Sequence, residues 1–343
     1  MLRTACPRYA HFVHASSAVT RTHNSPVEPM SQQPIYRTLE KASTHLDAPV
    51  VTIGNFDGAH IGHQAIFRLA RELGVELGSQ HVALTFDPHP VRYFKPDADP
   101  FRLTPSQQRA ELLLSYGLNA VVELPFGDDM SSLEPEEFVD KILIEGLGAT
   151  GVVVGEDFAF GKGRAGSTDD LERLCAQHDI ETRICDHVET DDRSISSTRI
   201  RDSISNGDMS IATRLLGRPY RVRGEVVEGD RRGRALGFPT ANISTPNRVL
   251  PPNGVYATTL HQRGAAARPS ITNIGTRPTF EGDDVTVECF VMDVDGELDL
   301  YGEHVELDIW AFVREERKFD APDGLIRQIQ KDVGFVEDYF GLK

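Results

Sequence analysis

The sequence of 343 residues lacks any run of about 18 consecutive apolar residues, so we expect no transmembrane helix. It has only four cysteines, and none lies in a Cys-x-x-Cys pair or at a zinc-ligand spacing, which favours the reduced thiols of a cytosolic protein. Basic side chains are also in deficit, with 36 against 52 acidic ones and a net charge of −16. This deficit argues against a general binder of nucleic acids or anionic membranes, but it allows a local basic site for an anionic substrate.

Residues 1–29 differ in composition from the rest of the chain. They contain several Arg, Ser, Thr and His residues, no acid before Glu28, and neither an apolar signal-peptide core nor a helical period. We therefore expect residues 1–33 to be a disordered leader, or the product of a mis-assigned start with translation beginning at Met30. A targeting leader is the alternative. The remaining length predicts about two domains.

The first half of the chain alternates between buried strand patterns and helical patterns. Strands are predicted at 50–53, 81–86, 120–124 and 151–154, and helices at 62–77, 106–116 and 135–147. Thr104 is the expected cap of the second helix, with Pro105 at its first position. Such alternation indicates a parallel sheet with crossover helices, so we predict an α/β domain over residues 34–205.

The pattern changes near Gly217. Short alternating runs at 222–227, 255–260, 285–292 and 305–312 are divided by Gly, Pro and Asn turns, which predicts an antiparallel barrel or sandwich. An amphipathic helix at about 322–339 comes last. We therefore predict a linker at 206–219 and a second domain at 220–343.

Residues 54–63 read Gly-Asn-Phe-Asp-Gly-Ala-His-Ile-Gly-His and form a segment that we call the 54–63 loop. Glycine permits tight turns and close approach to a ligand, and the step from a strand end to a helix start attracts anions in open parallel sheets. The string resembles the signature of the nucleotidylyltransferase superfamily. That resemblance implies adenylyl or cytidylyl transfer, with His60 and His63 stabilising the α-phosphate. The expected nucleotide-binding residues of the loop are Gly54, Phe56, Asp57 and Gly58.

A second polar string, Ser-Ile-Ser-Ser-Thr-Arg-Ile-Arg at 194–201, precedes a helical pattern. Hydroxyl groups at a helix start are good caps, which is the structural interpretation. Arginine presents a planar fork that suits phosphate oxygens. In the superfamily a Ser/Thr-rich motif here binds the triphosphate, so the resemblance implies that Ser197, Thr198 and Arg201 bind ATP.

The second domain has its own polar constellation. Six Arg and three acids lie between 218 and 234, an excess of positive charge that is typical of a polyphosphate site. Thr240 and Asn242, in the string Gly-Phe-Pro-Thr-Ala-Asn, offer hard oxygen ligands suited to Mg²⁺. Glu288 alternates with Val287 and Cys289 on a predicted strand, so it is a candidate general base if it faces the barrel interior or a cleft, and a surface residue otherwise.

Nine strings in the same order resemble the prokaryotic bifunctional riboflavin kinase/FMN adenylyltransferase (FAD synthetase) family from about Ile35 onward. They are GNFDGAHIGH, TFDPHP, VVGEDFAFG, SISSTRIR, LLGRPY, GRALGFPTAN, LPPNGVYA, NIGTRPTF and VECFVMD. The family often has Asn where this chain has Asp157. The resemblance implies a Rossmann-like nucleotidylyltransferase domain followed by a six-stranded Greek-key barrel, the riboflavin kinase domain, with a C-terminal helix.

The resemblance also implies two activities. The barrel would phosphorylate riboflavin to FMN with ATP, with Glu288 receiving the hydroxyl proton and Thr240 and Asn242 holding Mg²⁺ and phosphates. The first domain would adenylylate FMN to FAD and release pyrophosphate, with Phe158 and Phe160 as candidate contacts of the flavin ring. The loop expected to cover the kinase ATP includes Gly233, Arg234 and Gly237.

These implications set the expected partners. ATP, Mg²⁺, riboflavin, FMN and FAD are the expected small molecules, in a cytoplasmic enzyme without nucleic-acid or membrane partners, either a monomer or a transient oligomer. Two alternatives are a nucleotidylyltransferase for another phosphorylated vitamin or alcohol, with an accessory barrel, and a flavin- or nucleotide-binding regulator without turnover.

Overall fold

The structure is a computed structural model that describes residues 34–97, 101–229, 237–245, 249–279, 282–292, 300–319 and 321–342. Its first part comprises β1 (Ile35–Tyr36), α1 (Leu39–His45), β2 (Val50–Ile53), α2 (Ile61–Leu77), β3 (His81–Asp87), α3 (Pro90–Phe94), α4 (Ser106–Ser115), β4 (Ala120–Pro125), α5 (Asp128–Ser131), α6 (Pro135–Phe138), a π-helical segment (Val139–Ile144), β5 (Gly151–Gly155), a 3₁₀ turn (Lys162–Arg164), α7 (Thr168–Ala176), β6 (Glu181–Cys185), β7 (Glu189–Thr190), β8 (Arg193–Ser194), α8 (Ser197–Ser205) and α9 (Met209–Leu216). Its second part comprises β9 (Tyr220–Val227), β10 (Thr240–Ser244), β11 (Gly254–Gln262), β12 (Arg268–Thr279), β13 (Gly282–Val291), β14 (His304–Arg314) and α10 (Pro322–Phe340).

The first six strands form a parallel sheet in the order β1-β4-β3-β2-β5-β6. From β2, the chain adds β3 and β4 on one side and then β5 and β6 on the other, so the direction of strand addition reverses at β2. This is the Rossmann order, and ligands in such sheets bind beside the carboxyl ends of the strands at the reversal. The Rossmann-like prediction is confirmed, and the 54–63 loop lies at that point.

Residues of β2 are buried on both faces of the sheet, which explains their continuous apolar run. Val51 and Ile53 pack in a core that includes Leu143 and Leu171. Val50, on the other face, packs with residues of α2. The sheet is therefore covered by helices on both sides.

Two local predictions were wrong. Helix α4 begins at Ser106 with Pro105 at its N-cap, so Thr104 is not the cap. Thr104 is instead buried and bonded to the 54–63 loop. The helix predicted at 135–147 is a short α-helical turn that continues as the π-helical segment.

The second part forms a closed barrel in the order β10-β13-β12-β11-β14-β9. Strands β11, β12 and β13 pair consecutively and β14 returns beside β11, which is the Greek-key arrangement. The six-stranded Greek-key prediction is confirmed, and the sandwich is excluded. The pattern missed β10, which is short, and β12, which contains Pro, Asn and Gly.

Helix α10 packs on the outside of the barrel. Val336 and Phe340 are buried against Val255 and Ile271, as the amphipathic pattern predicted. Helices α8 and α9 also pack against the barrel, in one core that contains Ile204 and Leu215 together with interior barrel residues. No helix in the described part of the chain is both long and apolar enough to cross a membrane. The expected leader lies outside the described residues.

Candidate active sites

A cavity of about 850 Å³ opens at the carboxyl ends of β2, β3 and β5. This volume is within the range of small-molecule sites, roughly 300 to 1,000 Å³. Its lining residues include two groups of different chemistry. The polar wall consists of Asp57, His60, His63, Ser197, Thr198 and Arg201. The aromatic wall consists of Phe86, Phe94, Phe126, Phe158 and Phe160.

Glycines allow the 54–63 loop to close on its own side chains. A Cβ on Gly54 would lie 2.8 Å from the ring of Phe56, and one on Gly62 would lie 3.1 Å from Nδ1 of His60. Gly58 has φ +83°, a conformation that an L side chain rarely adopts. The spacing of the glycines therefore serves the placement of Phe56 and His60.

The two histidines of the loop stack on each other, with ring centroids 3.5 Å apart. His60 caps helix α2, because its Nδ1 accepts from the backbone N–H of His63 at 3.3 Å. Burial lowers the pKa of His60 to about 4 and holds the pKa of His63 well below its ordinary value. Both imidazoles are therefore neutral near pH 7. With Nδ1 as acceptor, neutral His60 carries its proton on Nε2 and can donate it to an anion.

Asp57 is the buried anchor of the polar wall, with only 2% of its surface exposed. Its Oδ1 accepts from the backbone N–H of Leu103 at 3.0 Å, the backbone N–H of Thr104 at 2.9 Å and the Thr104 hydroxyl at 3.2 Å. Its Oδ2 accepts from Nη2 of Arg201 at 2.8 Å. The carboxylate thus joins the 54–63 loop to the second motif and holds the two together.

Helix α8 points its first residues at the same cavity. Ser196 is its cap, since its side chain accepts from the N–H of Arg199 at 3.2 Å. Ser197 donates its hydroxyl to the backbone carbonyl of Asp57 at 2.8 Å, whereas Thr198 is exposed at the cavity. The capping role that the sequence left as an alternative therefore belongs to Ser196. The starts of α2 and α8 converge here, and both favour a bound anion.

The aromatic residues named from the sequence have two different surroundings. Phe160 is buried against Phe138, and Phe158 stacks on Phe160 with centroids 5.6 Å apart. Both also line the cavity, so they are at once part of the core and part of its wall. Asp157 is exposed at the cavity beside them.

Arg109 is a buried residue beneath the cavity that the sequence patterns did not predict. Its guanidinium is 1% exposed and donates to the carbonyls of Asn55 and Phe86 and to the carboxylate of Glu123 at 2.9 Å. It thereby ties together the ends of β2, β3 and β4 beneath the cavity. The available signal was a charged residue four positions before Leu113 on the buried face of α4.

The second constellation lies on the outer surface of the barrel. Asn242 on β10 stands directly opposite Glu288 on β13, and Thr240 is two residues away on the same face. Directly opposed Cβ atoms are about 5 Å apart, and diagonal neighbours about 7 Å. Alternate residues face the interior: Ala241, Ile243, Val287 and Cys289. The structure thus brings Thr240, Asn242 and Glu288 together, outside the barrel and not within it.

Two further contacts shape this surface. Gly229 lies so close to Asn242 that a Cβ on it would overlap the amide group. Phe238 packs edge-on against Phe290, with centroids 5.4 Å apart, which joins the start of β10 to β13. Gly237 is exposed with φ +84°. Gly233 and Arg234 lie outside the described residues.

Part of the Arg excess at 218–234 has another use. Arg221 pairs with Asp308 at 2.6 Å, and Arg223 pairs with Glu306 and with Glu111 of helix α4. These two cations therefore belong to ion pairs where the barrel meets the part of the structure that contains the parallel sheet, which we call the sheet domain. The expected polyphosphate cluster does not include them. Within the described ranges, no group of three or more His, Cys, Asp or Glu side chains could hold a metal.

Comparison with known proteins agrees with this two-part architecture. A family model described as FAD synthetase matches residues 42–199, and one described as riboflavin kinase matches residues 216–340. A bifunctional riboflavin kinase/FMN adenylyltransferase of Pseudomonas fluorescens is 39% identical over 83% of this chain and 90% of its own length. One of Bacillus subtilis is 34% identical over 85% of this chain and 92% of its own length.

A solved structure described as a macrolide-efflux protein from Streptococcus pneumoniae covers 88% of this chain and 98% of its own, with a TM-score of 0.80 and 31% identity. The two family matches fall on the two parts of the fold, and the curated relatives span both. An accessory barrel is therefore not supported. The chain belongs to the bifunctional riboflavin kinase/FMN adenylyltransferase family.

Proposed function

We propose that the two activities of the family reside in two separate sites of this chain. The chain phosphorylates riboflavin to FMN with ATP, and it adenylylates FMN to FAD with release of pyrophosphate. We assign the second reaction to the cavity of the sheet domain and the first to the outer surface around Asn242 and Glu288. The observation that carries this assignment is the meeting of the 54–63 loop and helix α8 on one polar wall.

For adenylyl transfer, we assign the polar wall to the ATP phosphates. A phosphate oxygen of FMN attacks the α-phosphorus of ATP, and the bond to the β-phosphate oxygen breaks to release pyrophosphate. Charge develops on the α-phosphate oxygens, and fixed N–H donors stabilise it best when they need no reorganisation. His60, His63 and the first N–H groups of α2 and α8 supply such donors. Arg201 adds a positive charge, and its ion pair with Asp57 fixes the orientation of the guanidinium.

The aromatic wall suits the other part of the substrate. An isoalloxazine ring is flat and largely apolar, and rings of Phe bind such surfaces by stacking and edge contacts. Phe158 is the side chain that combines cavity exposure with a buried partner, Phe160, that holds its orientation. This support makes Phe158 the better candidate for flavin contact.

For riboflavin phosphorylation, Glu288 accepts the proton of the 5′-hydroxyl as its oxygen attacks the γ-phosphorus of ATP, and ADP leaves. The donor set beside it is a hydroxyl and an amide oxygen, from Thr240 and Asn242. These oxygens suit Mg²⁺, which binds to few protein groups and keeps phosphate and water ligands. Bound Mg²⁺ would neutralise charge on the phosphates.

Predictions that stay with this proposal are a role for Gly233, Arg234 and Gly237 over the phosphates, a cytoplasmic location and the absence of nucleic-acid or membrane partners.

A time course of riboflavin, FMN and FAD by chromatography, with ATP and Mg²⁺, tests the assignment. Glu288→Ala is expected to abolish FMN formation and to leave conversion of added FMN to FAD intact. His63→Ala is expected to do the reverse. Chelation of divalent cations should stop FMN formation.

Matched controls are Glu225→Ala, an exposed carboxylate of the same barrel, and His81→Ala, a histidine outside the cavity. Both should keep both reactions. Loss of both reactions in either site variant, with the controls active, would refute two separate sites.

A further inference from the structure

Residues 216–218, at the end of helix α9 and just after it, lie against the 54–63 loop and the start of helix α2. Gln64 donates through Nε2 to the carbonyl of Leu216 at 3.0 Å and to that of Ala59 at 2.9 Å. A Cβ on Gly217 would lie 2.9 Å from Cγ2 of Ile61, so glycine is needed for this approach. Arg218 donates through Nη2 to the carbonyl of Gly58 at 2.9 Å. Residues 216–218 therefore act as a second wall behind the loop.

Gly58 is held from both sides. Its N–H donates to the hydroxyl of Thr104 at 3.0 Å, on the side of the sheet domain, and its carbonyl accepts from Arg218 on the side of the barrel. With φ +83°, it has the backbone freedom to leave this conformation if either bond is lost. His60 is two residues further along the chain, so movement of Gly58 would move the imidazole.

The chemistry of Arg218 is unusual for a structural residue. Whereas Nη2 donates to Gly58, the buried Nη1 atom has no hydrogen-bond partner within the described part of the chain. No carboxylate of the described residues is within ion-pair distance of its guanidinium, in contrast to Arg221 and Arg223 nearby. Its positive charge contributes to the lowered pKa of His60. A half-buried cation with no carboxylate within ion-pair distance favours an anion in its vicinity.

We propose that Arg218 is a positioning residue for FMN adenylyl transfer, which holds Gly58 and, through it, His60 from the barrel side. This inference rests on the adenylyl transfer proposed for the cavity. Because Tyr220 already begins the first barrel strand, the adenylyl site depends on a residue that the barrel carries into place. A chain that ended with the sheet domain would therefore lack a residue that the adenylyl site needs.

The test measures both reactions in the full chain. Arg218→Met removes the donor and the charge and keeps much of the volume. It should lower kcat/KM for ATP in FAD formation by about 10- to 100-fold, the range expected when catalytic groups are misplaced by about 1 Å. The KM for FMN and the riboflavin kinase rate should stay within about twofold of wild type, because neither uses Gly58. Arg218→Lys keeps a charge and a donor and should recover part of the loss.

Arg223→Met is the matched control, since it removes an arginine from the same junction that does not contact the loop. It should leave FAD formation unchanged. Kinase activity in the same molecules reports folding of the barrel, and the unchanged KM for FMN reports folding of the sheet domain. Arg218→Gln, which keeps a donor without the charge, replaces Arg218→Met if that variant does not fold. Wild-type FAD formation in Arg218→Met, no recovery by Arg218→Lys, or an equal loss in Arg223→Met would overturn the inference. A wild-type chain that makes no FAD would instead refute the proposed function.

Discussion

Replacing Asp57 by asparagine tests whether a buried carboxylate organises the polar wall. The amide of Asn can keep its oxygen where Oδ1 now accepts from Leu103 and Thr104. Its NH₂ must then face Nη2 of Arg201, so a donor meets a donor where a 2.8 Å charge-assisted bond stood. Removal of one partner of a buried ion pair costs about 3 to 5 kcal/mol. We expect about 3 kcal/mol, because the Arg201 side chain is 21% exposed and water can solvate part of the freed charge.

Hydrogen exchange of the Leu103 and Thr104 amides is the most direct measurement, because both exchange only when the region around residue 57 opens, and the unpaired Arg201 lowers the free energy of that opening. A loss of about 3 kcal/mol corresponds to an increase in exchange of roughly 100-fold. The rate of FAD formation should decrease in Asp57→Asn, and the rate of FMN formation should stay unchanged. Asp191→Asn is the control, because that carboxylate is 56% exposed in its pairs with Arg199 and Arg214, and asparagine tolerates its positive φ. If Asp57→Asn exchanged as slowly as the control, the anchoring role would be wrong.

Three other predictions each concern a single group or contact. The pKa of His60 is about 4 in the folded chain against 6.5 for the free side chain, so the unfolded state takes up its proton first as pH falls, and the free energy of unfolding decreases from about pH 6.5 down to pH 4. Urea denaturation of His60→Gln should show a decrease between pH 7 and 5 that is smaller by about 2 kcal/mol, and an unchanged decrease would contradict the burial argument. Gly62→Ala should displace His60, 3.1 Å from the new Cβ, and lower FAD formation, whereas Gly127→Ala, with open space around it, should not; equal rates for the two would show that the contact is unimportant. Asp332→Asn breaks the bidentate pair with Arg314 and should lower the free energy of unfolding of the barrel by about 3 kcal/mol, which the fluorescence of the single Trp can monitor. FAD formation from FMN should persist in the folded protein, and an unshifted unfolding midpoint would contradict the role of this pair.

Much of the fold could be predicted because its signals are local. Strand β2 was predicted with the correct bounds, and helix α2 within one residue, from the alternation of a buried run and a 3.6-residue period. Strand β12 could not be predicted, since Pro, Asn and Gly interrupt its pattern and its ten pairs with β13 supply the order that propensity does not. The barrel closure itself depends on pairing β9 with β10 and β14, which no local pattern encodes.

The site divides in the same way. The sequence alone determined which residue types could bind phosphate, because the 54–63 loop and the 194–201 string carry their glycines, histidines and hydroxyls at short spacings. Only the tertiary structure decided that Asp57 is a buried anchor of the polar wall, that Thr104 and Arg109 support the loop, and that Arg218 reaches it from the barrel side. These partners lie between 46 and 160 positions away along the chain. Side chains so far apart meet only when the hydrophobic cores of both domains and their junction have formed, so their roles follow from burial and packing and cannot be taken from local sequence.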